Sequence, residues 1–486
     1  MTSLPIKNNV FYSAGDMANH SVLLLPCLLI AAFMGWLIAY FGFAIAGLFI
    51  VLPILIGFLV LVFLNPRVGF VSFLVYSFLM PGIGRHFIEV QVGLGIDALL
   101  LLTWLAVIFY RGKKFRYRQL NIDLIWLSLI WFILTVLQIG NPARPDIVGW
   151  LQESRTISLY WVMVIPLTML IFNKKSDIYV FIDLVIFLSL LGALYGMKQL
   201  YIGMDSAEQL YLQEHLKTHM LYGKVRIFSY YLEAAQFGAS QASIVILCFI
   251  LVFGPHTKIR RVCYAAAGLF IFYGMLLSGT RGALAGILGG GLIFLVLSKQ
   301  VKIILLGGGI LLGFIGMLKF TKIGHGNDQI RRMRSGTDVK DASFQLRLIN
   351  QKILSNALQT KPFGTGPGTS GAWGNKYNAH ISTSKIAPDS LFVKIWVMYG
   401  ITGFILWLGI MLYILGKSVG LIWNTRDPLL RNQLCALCGV YVSILVCSYG
   451  NEVMNNVPSL TIVYISWALL SMSTRWDIAL PKSTLA

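Results

Sequence analysis

Long apolar runs recur from residue 22 almost to the end of the chain, and they set the fold class. Fourteen are read as spans: 22–41, 43–64, 68–83, 94–110, 122–140, 157–172, 178–201, 235–253, 262–278, 282–298, 301–320, 391–416, 433–449 and 457–474. About 20 predominantly apolar residues suffice to cross the roughly 30 Å hydrocarbon core as a helix. The expected fold is an all-α polytopic membrane protein of about 12–14 transmembrane helices, with 1–486 forming one integral membrane domain. The run 68–83 is short enough to be re-entrant. Composition agrees: 12% of residues are charged, where soluble domains carry about 25%. The first twenty residues are polar and include Asp16. They do not resemble a cleavable signal peptide, so the first span is expected to stay in the chain.

The net charge of +20 is unevenly spread. "RGKKFRYR" (111–118), "NKKSD" (173–177), "PHTKIRR" (255–261) and "SKQVK" (298–302) are basic connectors, and such connectors belong in the cytoplasm. Fourteen alternating spans satisfy this and leave both termini inside. The short outer connectors then hold four basic residues, Arg85, Arg144, Arg155 and Arg281. Two longer outer segments break the pattern. The loop 202–234 carries Lys217, Lys224 and Arg226, and the loop 321–390 carries ten basic residues from Lys322 to Lys385. Long loops cross a membrane regardless of charge. Their basicity is explained by an anionic ligand on the outer face, or by the solubility of a plain loop. Cys435 and Cys438 form a C-x-x-C pair inside an apolar run with no second pair or His nearby. Helix packing accounts for them better than metal or redox chemistry.

The loop 321–390 is too long for a connector and reads as functional. Residues 324–343 are polar and expected to be mobile. "SFQLRLINQKILSNALQT" (343–360) places Phe344, Leu348, Ile349, Ile353 and Leu358 at helical spacing, an amphipathic helix suited to a membrane surface or to capping a cavity. "KPFGTGPGTSG" (361–371) ends it, and its four glycines would let a ligand approach the backbone. The spacing and the lack of a following lysine exclude a phosphate-binding loop of the nucleotide-binding type.

"LLSGTRGALAG" (276–286) places Arg281 at the outer N-terminal end of a span. A helix N-terminus carries about half a positive charge, so a cation there costs about 0.3–1 kcal/mol. A bound anion reverses the sign, because backbone N–H groups and guanidinium then both favour it. Lys224 and Arg226 precede the span starting near 235, and Lys394 lies in the first turn of the span starting near 391. The alternative for Arg281 alone is a turn arginine snorkelling to lipid headgroups. Three outer helix starts with cations favour an anion pocket, and arginine's planar fork suits phosphate. A lipid-linked diphosphate fits a site between spans. No D-x-D or H-E-x-x-H motif occurs in the outer loops, so arginine rather than a divalent metal is expected to neutralise it. No metal site and no cofactor are expected.

"VRIFSYYLEAAQFG", "LLSGTRGALAG", and the ordered series Arg347, amphipathic helix, "PFGTGPG" and "PDSLFVKIWVMYGITG" resemble the O-antigen ligase / O-antigen polymerase superfamily of bacterial cell-envelope glycosyltransferases. The resemblance runs from about 180 to 415. It implies transfer of a glycan from an undecaprenyl-diphosphate carrier to an acceptor hydroxyl, with inversion, on the periplasmic or extracellular face of a bacterial inner membrane. The acceptor is lipid A core sugar in ligases and a lipid-linked chain in polymerases of O-antigen or exopolysaccharide. By motif, Arg226, Arg281 and Arg347 are the diphosphate ligands, assisted by Lys224 and Lys394.

Such ligases usually carry a His-Asn pair before the span that follows the long loop. Here the residues are Asp389 and Ser390. This departure favours a repeat-unit polymerase over a core ligase. Asp389 is then the first choice for a general base, with His380 and Glu233 as the others. Alternatively Asp389 only caps the following helix. Trp373, Tyr377, Tyr222, Tyr230 and Tyr231 are candidates for stacking on sugars. Expected partners are the lipid-linked oligosaccharide, a glycan or lipid-linked acceptor, the bilayer and, as an option, a chain-length regulator; nucleic acid is not expected. A lipid-linked glycan flippase is the competing reading from another class. It predicts internal repeats and ionisable residues deep in the spans. No convincing repeat is visible, and Asp97, Asp183 and Lys198 lie near span ends.

Overall fold

The computed structural model describes residues 32–477 except 38, 41, 87–91, 111, 113–114, 222, 300 and 322–341. Most of the first expected span and the polar stretch 324–343 therefore lie outside the described residues. The chain divides after Asn65 into two units. The first contains α1 (Phe43–Leu64), an apolar helix with Pro53 inside it. The candidate functional residues all lie in the second, from Pro66 onward.

Its helices follow the apolar runs: α2 (Pro66–His86), α3 (Leu94–Ile108), α4 (Asp123–Leu137), α5 (Ile147–Ile171) and α6 (Ser176–Tyr201). The short α7 (Ser206–Glu214) and a hairpin of β1 (Met220–Leu221) and β2 (Lys224–Val225) come next. Then follow α8 (Ala234–Val252), α9 (Lys258–Leu277), α10 (Arg281–Ser298), α11 (Val301–Phe320), α12 (Ala342–Leu358), α13 (Gly371–Tyr377), α14 (Leu391–Asn424), α15 (Pro428–Gly450) and α16 (Ser459–Ser471). Among the described residues nine helices are long and apolar enough to cross a membrane, and three shorter apolar ones accompany them. The chain is an all-α polytopic membrane protein.

The core gathers around α16, whose residues from Ser459 to Leu470 are all buried. Trp467 meets Trp161 and Tyr441 edge-on, each with ring centroids 5.2 Å apart. Helices α10 and α15 approach closely through small residues, the usual means by which membrane helices pack. A Cβ on Gly286 would lie 2.4 Å from Cys447 Sγ, and one on Gly290 2.8 Å from the Gly439 carbonyl. Cys435 and Cys438 are free and buried in α15.

Two elements differ from the sequence expectation. The helix expected at 157–172 begins at Ile147 and passes through a π-helical segment, Arg155–Leu159. Its polar first turns are tolerated because they are paired: Arg155 binds Asp97 at 2.6 Å, and Glu153 binds Lys394 at 2.9 Å. The run expected at 391–416 is a broken helix. Gly400 takes φ 67°, and the carbonyls of Val397 and Met398 accept from the N–H groups of Thr365 (2.9 Å) and Gly366 (2.8 Å). A break among spans is stable when other protein groups satisfy the freed backbone in this way.

Alternate connectors gather at opposite ends of the bundle, as the charge pattern requires. At one end Arg67 binds Asp177 (2.7 Å), Lys175 binds Asp427, Lys417 binds Asp123, and Trp476 Nε1 donates to the Asn173 carbonyl (3.1 Å). At the other lie the segments that follow.

Candidate active site

The site is built on the turn before α10. Arg226, just after β2, donates from Nε to the Ser278 carbonyl (3.3 Å), from Nη1 to the Thr218 carbonyl (3.1 Å) and from Nη2 to Thr280 Oγ1 (3.1 Å). Thr280 Oγ1 donates in turn to the Ala234 carbonyl (3.0 Å) at the start of α8. Arg281 follows directly as the first residue of α10, half-exposed, and its N-cap Thr280 makes no side-chain cap hydrogen bond. Arg226, Arg281 and the residue before Ala234, Glu233, therefore belong to one junction of three helix ends. Lys224 lies exposed in β2, two residues before Arg226.

The segment carrying Arg226 is held from behind by Arg85. Its Nη1 donates to the Ser229 carbonyl (2.6 Å) and its Nη2 to the Tyr231 carbonyl, while its guanidinium lies 4.5 Å from the Phe228 ring centroid. His219 is buried in the same wall, with its ring against the Leu232 carbonyl (3.1 Å). Burial pushes it down to about 4, so it stays neutral near pH 7. Tyr230 and Tyr231 are 5% and 0% exposed. That corrects their reading as sugar platforms: both rings are packing. Tyr222 is outside the described residues. Trp373 and Tyr377 stack at 5.9 Å on α13 and are half-exposed.

The second half of the site is the connector after α15, Asn451 to Asn456, to which the sequence reading assigned no role. Gly450 accepts at its carbonyl from Arg347 Nη2 (2.7 Å). Asn451 Nδ2 donates to Glu233 Oε2 (3.2 Å). Glu452 binds Lys394 Nζ (2.7 Å), and Lys394 also binds Glu153 (2.9 Å). Cys447, one turn earlier, donates to the Gly282 carbonyl (3.3 Å) next to Arg281. Three consecutive residues thus tie Arg347, Glu233 and Lys394 to the arginine turn. Glu452 is visible as a lone acid between two apolar runs; its pairing with Lys394 of α14, and through it with Glu153 of α5, is not.

Lys394, a diphosphate-ligand candidate by motif, is placed for another role. It is 6% exposed and sandwiched between two carboxylates, so its charge is already matched. Arg347 sits in α12, close enough to Asp389 to stabilise its charge. Asp389 has φ 51°, a left-handed conformation that Asp tolerates. The N-cap of α14 is Ser390, so Asp389 is not the cap. Burial raises the Asp389 carboxyl above its ordinary range and nearby Glu452 adds to this, while Arg347 and a hydrogen bond with Asn350 oppose it. His380 is exposed in a turn after α13 and makes no side-chain hydrogen bond or ion pair among the described residues. The contacts that join the other candidates do not include it.

The glycines of "PFGTGPG" pack against protein and are not a ligand cradle. A Cβ on Gly364 would lie 2.4 Å from Gly400 N, and one on Gly368 2.3 Å from the Gly149 backbone. Gln138 Nε2 donates to the Phe363 carbonyl (3.0 Å) and Asn378 Nδ2 to the Gly368 carbonyl (2.9 Å), locking the segment down. The amphipathic helix forms as α12. Only its Leu354 and Leu358 pack inward, against Val393 and Val397, while Phe344, Leu348, Ile349 and Ile353 are exposed.

Residues 265–408, which include Arg281, Arg347, Asp389 and Lys394, match the family model described as O-antigen ligase. Over these residues the chain is similar to the O-antigen ligase family. The match supports a membrane glycosyltransferase of the O-antigen ligase/polymerase type. No curated protein matches the chain. Arg226, Glu233, Glu153 and Glu452 lie outside the ligase segment and reach it through the contacts above. Among the described residues, no group of three or more His, Cys, Asp or Glu could hold a metal ion.

Proposed function

We propose that the protein is a repeat-unit polymerase that moves a glycan from an undecaprenyl-diphosphate carrier to the terminal hydroxyl of a second lipid-linked chain, on the outer face of a bacterial inner membrane. The observation that carries this reading is the anchoring of Arg226 on the turn that presents Arg281, with Glu233 tied to the Asn451–Glu452 connector at the same junction. In this reading Arg281 and Arg226 neutralise the diphosphate, and the start of α10 adds its dipole. Charge that develops on the leaving phosphate is stabilised by groups already in position. No metal is needed for that step.

Asp389 is the general base. It takes the proton from the acceptor hydroxyl, the acceptor oxygen attacks the anomeric carbon, and the diphosphate leaves from the opposite side, inverting the configuration. Its raised carboxyl suits that role, since a base works best with a pKa near the working pH. Asp389 also stands where ligases of the resemblance carry His, which favours the polymerase over the core ligase. Arg347 orients Asp389, and Glu233 is the second carboxylate within reach of the arginines. The exposed apolar residues of α12 offer a seat for the polyprenyl chain or the bilayer surface. Orientation with both termini inside follows from the basic connectors.

The test is a reaction of the purified protein with a lipid-diphosphate oligosaccharide as both donor and acceptor, in EDTA. The expected product is a ladder of lipid-linked chains with inverted linkages. A single transfer that occurs only when a core-type acceptor is added would assign the ligase activity instead. An Arg281-dependent uptake of the lipid without any new linkage would assign transport.

A further inference from the structure

Three helices of the site, α8, α10 and α15, lead to a second feature at the opposite end of the bundle. Helix α10 has 18 residues and, at about 1.5 Å each, carries the chain roughly 27 Å from Arg281. There the end of α8, the start of α9, the end of α10 and the start of α15 enclose an open cavity of about 230 Å³. Its apolar wall is Phe253, Phe294 and Leu297; its polar wall is Arg261, Arg431 and Asn432.

The two arginines are unmatched. Neither makes an ion pair or side-chain hydrogen bond among the described residues. The carboxylates nearby are engaged elsewhere. Asp183 faces Arg260 at 3.7 Å. Asp427 pairs with Lys175 and accepts from the N–H groups of Leu429 (2.9 Å) and Leu430 (3.2 Å). Asp477 accepts from the backbone of Arg426 and Asp427. Arg431 is only half-exposed, so its charge is partly removed from water without a counter-ion. The wall is also built rigidly. Asn432 bonds His256 Nε2 (3.1 Å) and donates to the Ile250 carbonyl (2.9 Å), an approach that only glycine at 254 permits, since a Cβ there would lie 2.0 Å from Asn432 Oδ1.

We infer that this cavity binds the phosphodiester headgroup of an anionic phospholipid, with Arg261 and Arg431 on the phosphate and the acyl chains leaving over Phe253. Two features select a lipid over a soluble anion. The cavity lies at helix ends one membrane span from the candidate active site, and half of its wall is apolar, with Phe253 and Pro255 exposed at the rim. A free phosphate would leave that wall in water, whereas a lipid covers it. The site takes no part in glycan transfer, so its test is independent of the proposed activity.

The test is native mass spectrometry of the full chain released from detergent with defined phosphatidylglycerol or phosphatidylcholine. The wild type is expected to retain phosphatidylglycerol selectively. Arg261→Gln with Arg431→Gln should weaken that retention about tenfold or more. Neither arginine has a protein partner to orphan, so the fold should survive, and an unchanged melting temperature checks this. Arg116→Gln with Arg118→Gln removes the same charge from exposed positions at the same end and should leave retention unchanged. Equal losses in the two double variants, or equal retention of phosphatidylcholine, would overturn the inference. So would displacement of the lipid by inorganic phosphate in millimolar excess, which would assign the arginines to a soluble anion.

Discussion

A guanidinium and an ammonium differ most where two oxygens must be gripped at once. Arg281→Lys keeps the charge at the start of α10 and loses the fork. It is expected to lower transfer at least tenfold, with Arg281→Ala lower still, measured as initial rates at equal protein. Arg226 makes three hydrogen bonds within the fold, so Arg226→Ala should lose stability, read by a melting curve, as well as activity. Asp389 titrates above the ordinary carboxylate value of about 3.9. As a base it must be ionised, so the rate should rise with pH through a midpoint above that value, and Asp389→Asn should abolish that limb. Stability responds with the opposite sign. Between the ordinary value and the raised one the unfolded chain loses this proton first, so the group's contribution to stability falls as pH rises. Asp389→Asn should therefore melt no lower than wild type at pH 7–8, while its activity is lost.

At the scale of elements, apolar periodicity located the spans because burial in lipid or protein selects the same residues. The places where it failed are those where polar groups found partners far away in sequence. Glu153 and Arg155 read as connector residues, yet they sit in α5 because Lys394 and Asp97 neutralise them. The break in α14 was hidden because residues on both sides of Gly400 are apolar; its cause lies in Thr365 and Gly366. Backbone geometry also reassigned the glycine run from ligand approach to packing. Two substitutions follow. Gly290→Val forces a side chain against the Gly439 carbonyl and should destabilise by about 1–3 kcal/mol. Gly400→Ala meets a left-handed backbone and the Pro362 carbonyl 2.0 Å from the new Cβ, and should lower the melting temperature and detach the 361–371 segment, read by proteolysis.

At the scale of the whole second unit, the basic connectors 173–177 and 255–261 make their ion pairs and hydrogen bonds at one end of the bundle. The proposed site residues Arg226, Arg281, Glu233, Arg347 and Asp389 lie together at the other end. The hub that gathers them is not legible in the sequence, since Asn451 and Glu452 carry no motif and act through contacts more than fifty residues distant in sequence. Lys394 is the test of that hub. Lys394→Met leaves Glu153 and Glu452 facing each other without a cation, and should cost about 3–5 kcal/mol of stability, measured by thermal unfolding in detergent.

The most direct measurement of the central claim is glycan transfer by the purified protein from a lipid-diphosphate oligosaccharide, in EDTA, comparing wild type with Arg281→Ala. Elongated lipid-linked products from wild type, at least a hundredfold reduced in a folded Arg281→Ala, are the predicted result. Equal elongation by both proteins, or elongation by wild type only after a divalent metal is restored, would contradict an arginine-held diphosphate.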